Sequence, residues 1–402
     1  MILSFEDIKF VKEKDSVRGI FLNNFYFDMS EKELDKLGKW ELSKEDLEVK
    51  GNETIIRRNF NTLLDQKLKE LKSMQGKDAI YVYKGFLPLQ GSLYFGIVDR
   101  NTNIIEVRPM TGCNLNCIFC SVDLCRRDKD FVVNADYLAK EAKKLAESKL
   151  QEVKDIEMHI NEQGEPLLYA PLAELISKLK KIKGVKTISI DTNGSLLTEK
   201  KVDELVDAGL TRFNISLNAF SFETAEKIAG LAYPLDNLKK VCKYIAKKAD
   251  ILLAPVWLHE INDKDIEEII DFASELKKIR PQQKVPFIGI QNFLEYDHGR
   301  KPVKEQSWEK FFDYIEKLEK KHKIHLKLSR GDFGIVPAKS KKFFKKDDVV
   351  DAIIVCSGMF KHEMLCVASD KIIAVNTDKK EGKRIRVKIT RDKYNVFYGK
   401  EI

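Results

Sequence analysis

The sequence lacks any apolar run of about 18 residues, which is the length that a membrane-spanning helix needs. Its most apolar stretch, residues 251–258, has only the length of a buried strand. The first ten residues, MILSFEDIKF, also lack the basic and apolar segments that mark a secretory signal. These absences argue against a membrane or secreted class, so we expect a cytoplasmic protein without a membrane partner.

Cysteine is scarce as well, with seven residues among 402 and none before Cys113. The number is odd and three of the seven fall within eight residues, which does not suit a disulfide framework. Such bunching is typical of a reducing compartment, where thiolates bind metals rather than each other. The sequence therefore predicts a metal site and not a disulfide-bonded scaffold.

Between about residues 103 and 330, apolar β-like runs alternate with amphipathic helical patterns. The strand-like runs lie at 104–109, 155–160, 185–192, 211–218, 250–258 and 285–293, and the helical patterns at 134–149, 171–183, 198–209, 235–248, 263–279 and 305–322. Thr198 and Asp263 are expected N-caps, and Gly209 is an expected C-cap. Six successive β–α units predict an α/β fold whose parallel sheet is either open or closed into a partial barrel. Ligands then belong at the carboxyl ends of the strands.

Two further regions flank this core. Residues 1–102 predict an accessory α+β region, with a helix near 61–74 and strands at 79–86 and 92–100. Residues 339–402 contain short β-like runs that predict a small β-barrel, for which the oligonucleotide-binding fold is one precedent. This tail has 16 lysines and arginines against nine carboxylates, which is +7 of the chain's net charge of +8. The charge indicates an anionic partner or, alternatively, a solvated basic face with no partner.

The three bunched cysteines, Cys113, Cys117 and Cys120, follow the first core strand and are expected at its carboxyl end. Thiolates are soft ligands that suit zinc or iron–sulfur clusters, but structural zinc sites usually take two separated ligand pairs. Three thiolates in one loop can hold three irons of a four-iron cluster and leave the fourth iron open for an exogenous ligand. Cys125 leaves an alternative, because a fourth thiolate would saturate such a cluster or complete a zinc site.

The spacing CxxxCxxC, with Phe119 before the last cysteine, resembles the signature of the radical S-adenosylmethionine (radical SAM) superfamily. The resemblance covers about residues 104–291. It implies a partial (β/α)6 TIM-type barrel that binds a [4Fe–4S] cluster through Cys113, Cys117 and Cys120. It also implies that S-adenosylmethionine (SAM) chelates the open iron, with Phe119 beside the adenine. The implied chemistry is one-electron reduction, formation of a 5′-deoxyadenosyl radical and abstraction of hydrogen from a substrate.

Motifs after the next strands support the same resemblance. The sequence NEQGEP resembles the family's GGEP element, which implies that the methionyl amino group is contacted by Gln163, Gly164, Glu165 and Pro166. DTNG resembles the family's TNG turn and NISLN its ribose-binding strand, so the further implied SAM contacts are Thr192, Asn193, Ser216, Asn218 and, near the adenine, Gln291. Each motif alone also fits an ordinary turn or strand edge. Their order at successive strand ends favours the functional interpretation.

The tail from residue 372 resembles the second half of a TRAM domain, a small RNA-binding barrel found on tRNA- and rRNA-modifying enzymes. The matching residues are Gly382, Lys383, Val387, Lys388, Ile389, Thr390, Gly399 and Lys400. Basic and aromatic side chains suit phosphate contacts and base stacking, and the candidate RNA contacts are Lys383, Arg384, Arg386, Lys388, Arg391 and Tyr394. The alternative is a basic barrel that only packs on the core. The whole chain resembles archaeal-type iron–sulfur oxidoreductases with a C-terminal TRAM-like domain.

Our first hypothesis is a radical SAM enzyme that modifies RNA, either tRNA or rRNA, with ferredoxin or flavodoxin as the one-electron donor and no DNA partner. Alternatives are the same chemistry on a small metabolite or peptide, and a non-catalytic iron–sulfur protein completed by Cys125. The sequence assigns no catalytic residue beyond the cofactor contacts. Because residues 1–102 hold no cysteine, methylthiolation and wyosine-type ring formation, which use a second cluster, are disfavoured. Cys242, Cys356 and Cys366 are expected to pack as small apolar residues, and His159 to be structural.

Overall fold

The N-terminal region consists of short antiparallel strands and two helices. The structure is a computed structural model that describes residues 1–3, 5, 7–161 and 163–402. The elements of this region are β1 (Ile2–Leu3), β2 (Ile8–Lys12), β3 (Ser16–Phe21), β4 (Phe25–Ser30), α1 (Glu31–Asp35), β5 (Lys39–Ser43), β6 (Asp46–Lys50), α2 (Glu53–Lys67), β7 (Lys72–Ser73) and β8 (Asp78–Val82). The expected helix at 61–74 begins and ends earlier, because Asn52 accepts a hydrogen bond from the backbone N–H of Ile55 and caps α2.

The central region is a half-barrel of parallel strands covered by helices. Its elements are β9 (Gly96–Asp99), β10 (Ile104–Arg108), β11 (Lys129–Val133), α3 (Ala135–Lys149), β12 (Ile156–Ile160), α4 (Leu172–Lys180), β13 (Val185–Thr192), α5 (Glu199–Ala208), β14 (Arg212–Ile215), α6 (Phe222–Ala229), α7 (Leu235–Lys248), β15 (Asp250–Leu253), β16 (Val256–Trp257), α8 (Asp263–Ile279), β17 (Gln291–Asn292) and α9 (Trp308–His322). The sheet order is β15-β14-β13-β12-β10-β9, with β9 antiparallel and the other neighbours parallel. The predicted α/β partial barrel is confirmed. None of the described helices is long and apolar enough to cross a membrane.

Two of the three predicted helix caps are confirmed. Thr198 accepts a hydrogen bond from the backbone N–H of Lys201, and Gly209 ends α5 at φ 119°. The expected N-cap Asp263 is wrong, because Asn262 precedes the helix and Asp263 is its first residue. The Asp263 carboxylate instead accepts from the indole N–H of Trp257 at 2.8 Å.

The expected sixth strand at 285–293 is only partly regular. Its backbone follows β15 through hydrogen bonds from Leu253 N–H to the carbonyl of Phe287 and from Gly289 N–H back to Leu253, both 2.8 Å. Strand pairing is regular only for β17 against β16. Two elements that the pattern did not predict are α6 and β11, and β11 joins the N-terminal sheet beside β8 rather than the central one.

The connector after α9 closes the amino-terminal end of the half-barrel. Asn103 donates its backbone N–H to the carbonyl of Val336 at 2.9 Å and accepts from the Val336 N–H through its side chain at 3.0 Å. A bridge between Thr102 and Pro337 continues the contact. Residues 336 and 337 of this connector therefore lie against the amino-terminal end of the central sheet.

The C-terminal region is a closed five-stranded barrel, as predicted. Its strands are β18 (Val349–Ser357), β19 (Glu363–Ala368), β20 (Lys371–Asn376), β21 (Arg384–Arg391) and β22 (Phe397–Glu401), in the order β18-β19-β20-β22-β21. Only β20 and β22 pair in parallel, which is a Greek-key barrel of the oligonucleotide-binding kind. Leu365, Ile372 and Ala374 belong to the large core that this barrel shares with the rest of the chain.

Strands and side chains cross the boundaries expected between the three regions. β9 lies before residue 102 yet pairs with β10 of the central sheet, and β11 of the central region pairs with β8. The barrel contacts the segment before β9 directly, since the Ile372 N–H donates to the carbonyl of Gln90 at 2.9 Å. The division at residues 102, 330 and 339 stays a prediction.

Candidate active site

One cavity of about 840 Å³ lies at the carboxyl ends of the central strands, where the strand order predicts a ligand site. It is lined by most of the residues that the sequence motifs single out. These are Cys113, Cys117, Cys120, Phe119, Gln163, Gly164, Thr192, Asn193, Ser216, Asn218 and Gln291. Glu165 and Pro166 are not among the described residues that line it.

The cysteine loop is attached to α6, a helix that the sequence pattern does not predict. The Asn116 N–H donates to the carbonyl of Ala229 at 2.9 Å, and the Ile118 N–H donates to that of Ile228 at 3.0 Å. Gly230 follows α6 at φ 69°, and a β-carbon there would overlap the carbonyl of Asn116. The end of this helix therefore determines where Cys117 and its neighbours lie.

Arg300 holds the same loop from the opposite side. Its guanidinium donates to the carbonyl of Asn116 at 2.8 Å and forms an ion pair with Asp123 at 2.9 Å. Its backbone N–H donates to the carbonyl of Cys120 at 2.9 Å. Because the Arg300 hydrogen bond and the Cys125 N–H outweigh burial, the pKa of Asp123 is lowered. No sequence signal marked Arg300, which lies far along the chain.

The three thiols fit a polynuclear cluster better than a single ion. Burial raises the pKa of Cys113 and of Cys117 to about 12, so both are neutral thiols until a metal replaces the proton. Among the described residues, no three His, Cys, Asp or Glu side chains converge closely enough to hold one metal ion. In a [4Fe–4S] cluster each thiolate binds a different iron, so the thiols need not meet at one point. Three half-buried thiols around one cavity are the donor set that such a cluster requires.

Cys125 lies apart from this set. It is exposed on a 3₁₀ turn, Leu124–Arg126, and its thiol accepts from the Arg300 guanidinium at 3.6 Å. Among the described residues, Cys125 does not line the cavity that Cys113 and Cys120 line. This placement leaves three thiolates for the cluster and argues against a saturated set of four.

The QGEP turn contacts the cysteine loop through two glycines. Gly112, at φ 112°, forms a parallel bridge with Gly164, and its carbonyl accepts from the Glu165 N–H at 2.8 Å. A β-carbon on Gly164 would overlap the Gly112 carbonyl, so the close approach requires glycine. Glu162, within the same turn, lies outside the described residues.

Glu165 connects two motifs instead of facing the cavity. Its buried carboxylate accepts from the Thr192 hydroxyl at 2.6 Å, the Asn193 N–H at 2.8 Å and the Leu167 N–H at 3.1 Å. Burial nevertheless raises the pKa of Glu165 to about 7. Pro166 begins the 3₁₀ turn Pro166–Leu168 and is buried. Direct contacts of these two residues with SAM stay predictions, whereas the hydrogen bonds by which Glu165 holds the TNG turn are present in the structure.

Most of the remaining predicted SAM contacts lie at neighbouring strand ends, where hydrogen bonds hold Asn193, Ser216 and Asn218 in place. The Asn193 amide donates to the Asn114 side chain at 3.0 Å and lies 3.9 Å from the Cys113 sulfur. The Ser216 N–H donates to the carbonyl of Thr192 at 2.9 Å, and the Asn218 side chain accepts from the Val256 N–H at 2.8 Å. Strands β13, β14 and β16 are thus connected at this edge.

Two buried polar atoms at the cavity have no partner among the described residues. They are the amide oxygen of Gln163 and the Nε of Arg127. Both residues line the cavity, and Arg127 also donates to the carbonyl of Gln163 at 2.9 Å. Buried polar groups are normally hydrogen-bonded, so these atoms fit a cavity that receives a polar ligand such as SAM. Together with the three thiols, the residues present fit the cluster and its cofactor.

The far side of the cavity is formed by residues that no cofactor motif includes, although the sequence named Arg391 as a candidate RNA contact. The barrel supplies Phe360, Arg391 and Tyr398, and the preceding regions supply Tyr94, Arg100, Arg108 and His298. Phe360 stacks on His298 with ring centroids 3.8 Å apart, and Arg391 lies 5.4 Å from the Tyr398 ring. The C-terminal barrel therefore covers the site.

The candidate RNA contacts lie mostly on one exposed strand. Arg384, Arg386 and Lys388 alternate on β21 with buried Ile385 and Val387, so the three basic side chains face outward. Lys383 precedes them and is exposed. Tyr394 is half-buried, with the Arg100 guanidinium 4.9 Å from its ring.

The other cysteines are packing residues, as expected. Cys242 is fully buried in α7, Cys356 belongs to the large core, and Cys366 belongs to the separate barrel core. Because Cys356 and Cys366 pack in different cores, they do not form a pair that faces the cavity.

Comparison with known proteins gives the same assignment as the site. A family model described as the Radical SAM superfamily matches residues 107–273. An uncharacterized protein of Methanocaldococcus jannaschii is 35% identical over 96% of both chains. A probable GTP 3′,8-cyclase of Saccharolobus islandicus is 31% identical over 58% of this chain and 72% of its own length. Among solved structures, Streptococcus suis SuiB bound to S-adenosylmethionine is similar at a TM-score of 0.41 and 17% identity, over 80% of this chain and 71% of that chain. The chain belongs to the radical SAM superfamily, whose members are enzymes that bind a [4Fe–4S] cluster and SAM.

Proposed function

We propose that this radical SAM enzyme modifies an RNA, either tRNA or rRNA, and that its barrel is a TRAM-like RNA-binding module. The observation that carries the proposal is the path of β21. Its exposed basic residues, Arg384, Arg386 and Lys388, are followed on the same strand by Arg391, which lines the cavity that holds the cysteines. A polyanion bound along this strand would have one of its nucleotides at the cavity.

The chain's own residues position and protect the reacting groups. Cys113, Cys117 and Cys120 would hold the cluster, which with SAM and one electron from a donor would supply radical chemistry at a substrate C–H bond. Gly164 and Asn193 hold the two motif turns against the cysteine loop. Phe360, Tyr398 and Arg391 cover the cavity from the barrel side and limit the access of water. A ferredoxin- or flavodoxin-type donor in a reducing cytoplasm is the proposed source of the electron.

A second candidate is the same chemistry on a small anionic metabolite. It is favoured by relatives named as probable GTP 3′,8-cyclases, one of which is 36% identical over 44% of this chain. The cavity is also lined by Arg100, Arg108 and Arg127, which suit an anionic ligand. Arg384, Arg386 and Lys388 of β21 do not line the cavity and are not needed for such a substrate.

The test compares charge reversal on β21 with charge reversal elsewhere. The variant Arg384→Glu/Arg386→Glu/Lys388→Glu should weaken binding to bulk tRNA and reduce the slope of log affinity against log salt by roughly 0.7–0.9 per lost phosphate contact. The control Lys264→Glu/Lys277→Glu/Lys278→Glu has the same charge change at exposed positions on α8. An equal loss of tRNA affinity in both variants would show that only net charge matters and would contradict the proposal that the barrel is an RNA-binding module.

The substrate itself is identified by mass spectrometry of RNA nucleosides from cells with and without the gene. We expect one modified nucleoside to disappear and to return with the wild-type gene but not with Cys117→Ala. If every nucleoside is unchanged, the RNA proposal fails and the metabolite candidate takes its place.

A further inference from the structure

A second chamber of about 370 Å³ lies inside the half-barrel, deeper than the SAM cavity. The two share Asp191, Ser216, Ala254 and Gln291 in their linings, so they are directly adjacent. The rest of the chamber is largely apolar, with Leu252, Leu328 and Phe333 among its lining residues. Its size suits a small ligand or one ring system of a larger one.

A closed ring of polar side chains occupies one side of this chamber. Arg212 donates from Nε to the Asn214 amide oxygen at 3.1 Å, and Asn214 donates to Asp191 Oδ1 at 2.7 Å. His159 Nε2 lies 3.3 Å from Asp191 Oδ2, and His159 Nδ1 lies 2.8 Å from the Ser189 hydroxyl. Ser189 donates to Glu157 at 2.6 Å, and Glu157 pairs with Arg212. The ring orders six side chains from three neighbouring strands.

The direction of these hydrogen bonds places one ring proton on His159 Nδ1. Ser189 has one hydroxyl hydrogen, which goes to the Glu157 carboxylate, so Ser189 accepts from His159 Nδ1. Nε2 then faces the Asp191 carboxylate and attracts it only when it also bears a proton. Although burial lowers the pKa of His159, the charge of Asp191 raises it overall, with smaller contributions from Glu157 on the same strand and Glu106 on β10. When protonated at both ring nitrogens, His159 pairs with Asp191 through Nε2 and favours the ionised form of that carboxylate.

Asp191 is the member of the ring with accessible acceptor capacity. Its side chain is 40% exposed, whereas those of Glu157 and Arg212 are 8% and 7% exposed. The exposed surface faces the two adjoining cavities, because Asp191 lines both of them. An ionised carboxylate has about four acceptor positions, and within the described part of the chain two of them are used, by Asn214 and His159. An N–H donor on a ligand would satisfy the remaining ones.

We propose that this chamber binds the reacting part of the substrate, a planar heterocycle of nucleobase type that donates N–H to Asp191, with His159 as the positioning residue that holds that carboxylate. The apolar part of the lining accommodates the ring faces, and the shared boundary at Ser216 and Ala254 places the ring next to SAM. The nucleobase identity rests on the proposed function, because the basic strand β21 is what indicates a nucleic acid.

The test measures binding of the four free ribonucleosides to the reconstituted, SAM-loaded full-length protein by calorimetry. At least one nucleoside should bind the wild type. Asp191→Asn, which replaces an acceptor by a donor, should raise its Kd at least tenfold. Gly289→Leu should do the same by filling the chamber, since a β-carbon at Gly289 has only ordinary contacts. His159→Gln should weaken binding less than Asp191→Asn and remove its pH dependence near neutrality.

The controls separate a specific loss from misfolding. Asp203→Asn changes an exposed carboxylate on α5 that bonds Tyr244, and it should leave nucleoside binding within twofold of wild type. SAM binding and cluster absorbance should persist in all variants. If no nucleoside binds, or if Asp191→Asn binds as wild type does, the inference is wrong. If the RNA nucleoside profile is unchanged but nucleoside binding depends on Asp191, the RNA function is wrong, whereas the proposal that this chamber binds a nucleobase still holds.

Discussion

At the scale of single residues, the site depends on a close approach between two backbone segments, at Gly112 and Gly164. Gly164 faces the carbonyl of Gly112 so closely that a side chain would have no space. This contact brings the QGEP turn against the cysteine loop, and Glu165 then extends it to the TNG turn through Thr192 and Asn193. The motif residues therefore position one another, in addition to their predicted contacts with the cofactor.

Gly164→Ala should disrupt cluster assembly. The new β-carbon overlaps the Gly112 carbonyl, so one of the two loops must move. We expect iron content after reconstitution to fall from about four atoms per chain to below one. Gly331→Ala is the control, because a β-carbon there lies 3.5 Å from its nearest neighbour. Normal iron content in Gly164→Ala would contradict the proposed loop contact.

Glu165 should make the stability of the metal-free protein depend on pH. Its pKa is raised to about 7 by burial, so between about pH 4.5 and 7 the folded state binds more protons than the unfolded state. The free energy of unfolding therefore falls as pH rises through this range, by on the order of 3 kcal/mol at most. In Glu165→Gln this decrease should be smaller. Urea unfolding at pH 5, 6, 7 and 8 measures it, with Glu204→Gln on exposed α5 as the control, and parallel curves for wild type and Glu165→Gln would refute the assignment.

At the scale of elements, the cysteine loop is held between a helix end and a distant loop. The end of α6 accepts two backbone hydrogen bonds from the loop, and Arg300 donates to it from the segment after β17. Neither partner carries a motif. The three cysteines are close in sequence, but the shape of their loop is determined by residues more than 100 positions away.

Arg300→Ala should leave the fold intact and weaken the hold on the cluster. The loop would lose the hydrogen bond at Asn116 and the ion pair with Asp123. We expect the cluster absorbance to decay at least threefold faster in air, with the melting temperature within about 4 °C of wild type because the lost contacts are partly exposed. Lys301→Ala, which removes an exposed ion pair with Glu295, is the matched control. Equal decay of all three proteins would show that Arg300 does not protect the loop.

At the scale of the whole molecule, the barrel is part of the enzyme's core and covers its cavity. Leu365, Ile372 and Ala374 of the barrel lie in the same apolar core as the half-barrel. Tyr94, before β9, donates to the buried Glu363 of the barrel at 2.7 Å. A function in which the barrel only tethers RNA would not require these contacts.

Removal of residues 339–402 should therefore destabilise the rest of the chain. Each large apolar side chain that loses its cover costs roughly 1.5–3 kcal/mol, and 1 kcal/mol corresponds to roughly 2–4 °C in a protein of this size class. We expect the melting temperature to fall by about 10 °C or more, or the product to aggregate. Calorimetry of the truncated protein tests this, and the β21 charge variant, which alters only exposed residues, should melt within about 2 °C of wild type. A truncated protein as stable as wild type would show that the barrel is an independent module.

Much of the fold and site follows from local pattern. Alternating apolar runs predict the parallel strands because β–α units must bury one face of each helix. The CxxxCxxC spacing places three thiols in one short loop and so predicts three ligands, whereas it leaves open whether Cys125 is a fourth. Motifs at successive strand ends predict one site because parallel strands end at the same edge. The apolar pattern does not predict the short, irregular strand pairing after Pro255. It also does not predict α6, which has only eight residues.

Sequence alone therefore determines the family and its cofactor classes and predicts which residues bind them, since the spacing of the motifs along the chain carries that chemistry. The tertiary structure decides what surrounds them. It places Cys125 outside the cavity, brings Arg300 and Arg391 to it from distant segments, and joins His159, Asp191 and Arg212 in one polar ring. These relations depend on contacts between residues far apart in the chain, and no local spacing encodes such contacts.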